Sequence, residues 1–82
     1  MTNNDLLKHF ACYPETVRHA NNLSCSAGTL YSYAEPIAVY KDGVFTVSRK
    51  KWSVTTSRHQ STLLGILAQQ GKTYTITQER LI

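Results

Sequence analysis

The stretch from Trp52 to Gln60 holds the side chains that could do chemistry: an indole, an imidazole and four hydroxyl groups within nine residues. A histidine beside hydroxyl groups can serve as a general base or as a pH-dependent switch. No acidic residue lies near His59 in the sequence to orient its ring, and the glycines that flank a typical nucleophilic serine are missing. We therefore predict that the protein is not an enzyme. Two interpretations of His59 remain: a structural tie between a helix start and a sheet, or a base or switch.

Basic residues surround the same stretch. Basic side chains neutralise phosphates or carboxylates, while an exposed tryptophan can stack on a base or anchor a protein contact. A helix start adds free N–H groups and the positive end of the helix dipole. The alternative is a buried tryptophan beside a solvated strand end. We predict a binding face, named the basic corner, made of Arg49, Lys50, Lys51, Trp52, Thr55, Thr56, Ser57 and Arg58.

Composition predicts one small domain. The chain has 82 residues, of which 41% are hydrophobic and 17% charged. We divide it into a helical and loop part, residues 1–29, and a hairpin–helix–strand core, residues 30–78. No apolar run approaches the roughly 20 residues of a membrane span, and the polar start of the chain lacks the features of a signal peptide. The expected location is therefore the cytoplasm, with no membrane partner.

Two histidines and two cysteines form the one set that could hold a metal: His9, Cys12, His19 and Cys25. The first pair is spaced for one helical face, but the later gaps of six and five residues match no standard zinc pattern. Four-coordinate zinc also requires all ligands to converge. We predict that both thiols are reduced and metal-free. With no glycine-rich phosphate loop in the chain, we predict no cofactor.

The N-terminal part predicts two short helices. The first begins at Asn3 or Asn4, either of which can cap it, and carries one apolar stripe. Pro14 is well suited to the first position of a second helix that ends near Ala20. The polar, turn-forming residues 21–28 predict a loop.

A β-hairpin is predicted around Asp42-Gly43, a strong signal for a two-residue turn. Its strands are residues 37–41 and 44–48, and residues 30–33 form a further β-prone run. Pro36 then starts a strand or marks an edge, because proline cannot donate to a central ladder.

The hairpin register assigns side chains to two faces. Tyr40 lies opposite Phe45, and Ala38 lies opposite Val47, on the face that we expect to be buried. An unpaired edge of the hairpin could pair with another copy, so a homodimer is open. The other face takes Ile37, Val39, Val44 and Thr46.

A long helix follows. Ser57 and Gln60 fit a capping box, which predicts a helix over about residues 58–70 with Gly71 just beyond its end. Residues 73–78 alternate and predict a final strand. The fold class is therefore α+β: short N-terminal helices, an antiparallel β-hairpin, one long helix packed on a small sheet and a C-terminal strand. The predicted buried stripe of the helix is Leu63, Leu64, Leu67 and Ala68, with Ile66 at its margin.

Four short motifs lie on both sides of the hairpin turn: Tyr31-Ser32-Tyr33, Pro36-Ile37-Ala38, Trp52-Ser53 and Thr55-Thr56-Ser57-Arg58-His59. In this order they resemble an uncharacterised domain of small proteins from bacteriophages and archaeal viruses. The resemblance covers about residues 30–67 and implies a viral origin, and it carries over no catalytic residue. Glu35 and Trp52 depart from the pattern, in which threonine and tyrosine are common at these positions.

Two functions follow from these observations. In the first, the chain is a small viral, non-enzymatic binding protein, an accessory or anti-defence inhibitor. It would dock on a host or defence-system protein in the host cytoplasm through the basic corner. In the second, the same corner binds nucleic acid directly. The formal net charge of +4 favours acidic partners of either kind and does not separate them.

Overall fold

A computed structural model describes residues 1–33, 35–49, 54–79 and 81. Its strands form one six-stranded sheet in chain order, with antiparallel neighbours except for β6, which runs parallel to β5. The predicted α+β class is confirmed. The elements of the described residues are α1 Asn3–Cys12, β1 Arg18–His19, β2 Leu23–Ser26, β3 Thr29–Ser32, β4 Glu35–Lys41, β5 Val44–Ser48, α2 Val54–Gln69 and β6 Tyr74–Thr77.

The N-cap of helix α1 is Thr2, whereas the sequence predicts Asn3 or Asn4. The Thr2 hydroxyl accepts the N–H of Asp5 at 3.1 Å, and the Asp5 carboxylate accepts the N–H of Thr2 at 3.3 Å. This reciprocal capping box satisfies two amides at once, which a lone asparagine cap cannot do. The predicted apolar stripe of this helix is buried.

The predicted second helix is wrong. Residues 14–16 form a turn, and the chain then enters the short strand β1. The carbonyl of Pro14 accepts the N–H of Gly28 at 3.0 Å, so a tertiary contact takes up the group that a helix would use locally. The proline preference at a helix start was therefore overridden by pairing with a distant segment.

The predicted loop at residues 21–28 is also wrong, because most of it is β2. Leu23 and Cys25 are buried, while the serine that follows each of them is more exposed. This alternation has the two-residue period of a strand. The surrounding asparagines and serines hid the pattern. Ala27 and Gly28 then make the turn into β3, both with positive φ.

The predicted hairpin is confirmed in position, register and buried face. Tyr40 pairs with Phe45, and Ala38 pairs with Val47, while Asp42-Gly43 forms the turn. Both hairpin strands are paired on their outer sides, β4 with β3 and β5 with β6. The hairpin therefore has no free edge through which a homodimer could pair.

The predicted face of the hairpin is wrong for Ile37. It belongs to the core and is fully buried, although simple alternation from Ala38 places it on the other face. The β3–β4 register shifts between Leu30 and Tyr31, which is a β-bulge or irregularity beside Pro36. An extra residue in one strand breaks the two-residue period, and the sequence pattern cannot show where this happens.

Helix α2 begins at Val54, earlier than the predicted start, so Ser57 lies inside the helix and is not its cap. Its end is confirmed. The N–H of Lys72 donates to the carbonyl of Leu67 at 2.9 Å, and the N–H of Gly71 donates to that of Ala68 at 3.2 Å. With φ of +68° at Gly71, this is the Schellman arrangement.

Both helices pack on one core with the sheet. The core includes four α1 residues, side chains from β2 to β5, and Leu63 and Leu67 of α2. Leu64 is only half-buried and Ala68 is exposed, so the buried stripe of α2 is narrower than predicted. Among the described residues, neither helix has both the length and the apolar character that crossing a membrane requires.

Candidate functional site

A buried polar cluster lies where the start of α2 meets the end of β3. The Ser32 hydroxyl lies 3.0 Å from the Thr56 hydroxyl and 3.2 Å from Nδ1 of His59. Ser32 is 1% exposed, Thr56 2% and His59 8%. The two motifs on either side of the hairpin therefore meet in space, because β3 and the first turns of α2 carry their side chains to one point.

The hydrogen-bond directions in this cluster follow from Asn3 at the start of α1. The N–H of Asn22 donates to Oδ1 of Asn3 at 3.3 Å, so the Asn3 amide nitrogen faces His59. That nitrogen lies 3.5 Å from Nε2 of His59, which must accept. Nδ1 of His59 therefore carries the proton and donates to Ser32. We assign one neutral tautomer on this geometry.

The environment of His59 disfavours the charged form of the ring. Burial lowers the pKa of His59 below its ordinary value. Protonation would also place an N–H at Nε2 against the amide N–H groups of Asn3. Because the ring is nearly enclosed and both its nitrogens face protein partners, the geometry favours the structural interpretation over the general base.

Gln60 makes a second tie from α2 to the sheet. Its amide nitrogen donates to the carbonyl of Ser48, the last residue of β5, at 2.6 Å, and Gln60 is 1% exposed. The Ser48 hydroxyl in turn donates to the carbonyl of Glu79 at 2.7 Å. The predicted capping role of Gln60 is wrong, because the helix starts earlier and this side chain is directed to β5.

The basic corner is only partly covered by the described residues. Arg58 is exposed on α2 and Ser57 is half-buried, while Thr56 points into the buried cluster. Arg49 is half-buried, and its guanidinium donates to the Ser61 hydroxyl at 3.0 Å. Thr55 lies in the first turn of α2. The remaining members, Lys50, Lys51 and Trp52, lie outside the described residues.

Two members of the possible metal set, His9 and Cys25, bond to Thr16. His9 bonds to the Thr16 hydroxyl at 2.6 Å, and the buried Cys25 donates to the Thr16 carbonyl at 3.5 Å. Cys12 is exposed, and both thiols are free. Burial raises the pKa of Cys25. Within the described ranges, no three histidine, cysteine or acidic side chains come together as a metal site would require.

Residues 8–80 match a family of unknown function, DUF8033. The chain belongs to this family. No curated protein and no solved structure matches it. The match runs from α1 past the end of β6, so the resemblance to an uncharacterised domain is confirmed, and the viral origin stays a prediction.

In this DUF8033 chain, sequence reasoning found His59 and Thr56 but missed the residues that complete their surroundings. Asn3 was interpreted only as a cap, and Asn22 was assigned to a loop. Asn3 contacts both Asn22 and His59, which lie far from it in the chain, so no local pattern could reveal these contacts. Ser32 alone had a signal, since it lies at the centre of the Tyr-Ser-Tyr motif.

Proposed function

We propose that this DUF8033 chain is a small viral, non-enzymatic binding protein, an accessory or anti-defence inhibitor that docks on an acidic surface of a host protein. The docking surface is the outward face of the basic corner. One observation carries this proposal: the start of α2 buries Thr56, His59 and Gln60 while it exposes Arg58 among them.

The outward face of α2 supports an acidic partner. Arg58 and Ser61 are three residues apart and therefore neighbours on the helix surface. The guanidinium of Arg49, the residue after β5, reaches that same Ser61. Both arginines carry a positive charge, and Arg58 is exposed on the helix surface. Guanidinium groups bind carboxylates and phosphates through paired hydrogen bonds.

The inward residues explain why binding is favoured over catalysis. Ser32 bonds to both Thr56 and His59, and Gln60 bonds to the end of β5. A nucleophile or base has to reach its substrate, and these groups are closed in. The inward side of the corner therefore holds the fold, and the outward side remains for recognition.

The proposal is tested by capture of a partner from host extract with and without nuclease. We compare the wild type with a corner variant that reverses Lys50, Lys51 and Arg58 to glutamate. The matched control reverses three other basic residues to glutamate. All three are exposed: Lys8, Arg18 and Lys41.

The corner variant is expected to lose the partner, with at least about 100-fold weaker binding, since each close charge contact is worth about 1.5 kcal/mol or more. The control is expected to retain it. Equal loss in both variants would mean that only net charge matters. Loss of capture after nuclease, with steep weakening in added salt, would instead identify nucleic acid as the target.

A further inference from the structure

Strand β6 is the last strand of the sheet, and no strand among the described residues pairs with its outer side. The N–H of Phe45 donates to the carbonyl of Thr73 at 3.0 Å, and the N–H of Arg49 donates to that of Thr77 at 2.7 Å. Backbone groups of successive strand residues alternate in direction. The N–H and C=O groups of Tyr74 and Ile76 therefore point away from β5, where β6 pairs with no described strand.

The side chains of this edge are unusual for an unprotected strand. Tyr74 pairs with Phe45 and Ile76 with Val47, so both lie on the face of the sheet that the helices cover. Val47 is fully buried, yet Ile76 is 52% exposed. Edge strands are normally protected by charges, prolines or bulges. Residues 74–77 contain neither a charge nor a proline.

We propose that β6 pairs in antiparallel fashion with β6 of a second copy of this chain, around a two-fold axis at Thr75. In this register the outward groups of Tyr74 face those of Ile76 in the other copy, and each pair exchanges both of its hydrogen bonds. The sheet then continues from one copy into the next.

The side chains fit this register as well. Tyr74 of one copy lies beside Ile76 of the other on the helix-covered face, and an aromatic ring next to a β-branched side chain is a favourable cross-strand pair. Thr75 meets its own counterpart on the opposite face. Lys72 lies opposite Gln78, so no like charges face each other across the axis.

A second copy suits this edge because a two-fold contact needs one strand to be complementary to itself. β6 meets that requirement, with matching donors and acceptors at positions symmetric about Thr75. One short strand buries little area, so the dimer is weak and depends on protein concentration. Each dimer presents two basic corners, but the dimer does not depend on what they bind.

The test is sedimentation of the purified chain over a range of roughly 10 µM to 1 mM, where weak dimers of small interface area form. The wild type is expected to shift towards the dimer as concentration rises. In parallel, hydrogen exchange at the amides of Tyr74 and Ile76 is expected to slow with concentration. Chains that remain monomeric at the highest concentration, or protection at other amides, would overturn the proposal.

Two variants isolate the edge. Ile76→Pro removes an N–H that points away from β5, so the β5–β6 ladder keeps its donors. Ile76→Lys keeps the N–H but places a charge beside Tyr74 of the other copy. Both are expected to weaken dimerisation at least about 10-fold, because hydrogen bonds and an apolar pair are lost.

The control is Val17→Lys, which adds the same charge at another exposed apolar residue, 54% exposed. It is expected to dimerise like the wild type. If Ile76→Pro fails to fold by circular dichroism, Ile76→Lys still decides the outcome. Dimerisation that is unchanged in Ile76→Lys, or equally weakened in Val17→Lys, contradicts pairing through β6.

Discussion

At the scale of single residues, the main feature is that His59 is buried while the adjacent Arg58 is exposed. These neighbours on α2 face different surroundings: the imidazole lies in the polar cluster and Arg58 is exposed to solvent. The sequence placed both at one corner but could not separate them. The spacing of four residues between His59 and Leu63 predicts the buried side of the helix for His59, whereas its partners Asn3 and Ser32 come from α1 and β3.

Stability is expected to depend on pH through His59. Its pKa in the folded protein lies below the ordinary value of 6.5 that applies in the unfolded chain. The unfolded state therefore binds more protons as pH falls below 6.5. The contribution of His59 to stability is full above that pH and is lost progressively as pH falls towards the folded pKa.

Urea unfolding of the wild type and of His59→Gln at several pH values checks this. The difference in free energy of unfolding between the two is expected to shrink as pH falls from 7.5 to 5. Asp5, whose pKa is lowered by its hydrogen bonds to Thr2, affects stability only at lower pH, near and below 3.8. A difference that stays constant over this range would show that His59 does not titrate differently on folding.

At the scale of elements, local signals succeeded where a turn or cap decides the structure. The Asp42-Gly43 turn and the Gly71 helix end were predicted because each depends on neighbouring residues alone. The wrong predictions lie where long-range contacts decide the structure. The segment after Pro14 became a turn and a strand because Gly28 bonds to its carbonyl, and such a long-range contact leaves no local pattern.

Three glycine-to-alanine substitutions are expected to rank in a fixed order. Gly28→Ala is the most destabilising, since φ is +87° and the new Cβ would lie 2.9 Å from the Tyr40 carbonyl oxygen. Gly71→Ala meets no atom within 4 Å, so its positive φ of +68° alone costs about 1–2 kcal/mol. Gly65→Ala lies inside α2 with open space around it and is expected to stabilise by about 0.5–1 kcal/mol.

Melting temperatures of the three variants check this order. Wild type should fall between Gly71→Ala and Gly65→Ala. A Gly28→Ala variant as stable as Gly71→Ala would mean that the contact with β4 relaxes without cost.

At the scale of the whole molecule, the fold class followed from the sequence because the hairpin and long helix are strong local signals. The sheet is wider than predicted: the described residues hold six strands, whereas the sequence predicts the two hairpin strands, the final strand and a β-prone run at residues 30–33. β1 and β2 are too short and too polar to be recognised from the sequence. They are strands because they pair with neighbouring strands of the sheet. Placing the site required this wider sheet, because β3 brings Ser32 to the start of α2.

We propose that the inward side chains at the start of α2 stabilise the fold and that its outward side chains bind the partner. The most direct measurement is the dissociation constant for the captured partner, together with the free energy of unfolding, for Arg58→Glu and His59→Ala. Arg58→Glu is expected to weaken binding at least about 10-fold and to change stability by less than about 0.5 kcal/mol.

His59→Ala is expected to lower the free energy of unfolding by about 1–3 kcal/mol, because its buried partners lose a hydrogen bond. Binding by its folded fraction should match that of the wild type. The opposite pattern, normal binding by Arg58→Glu and abolished binding by a folded His59→Ala, would contradict the account.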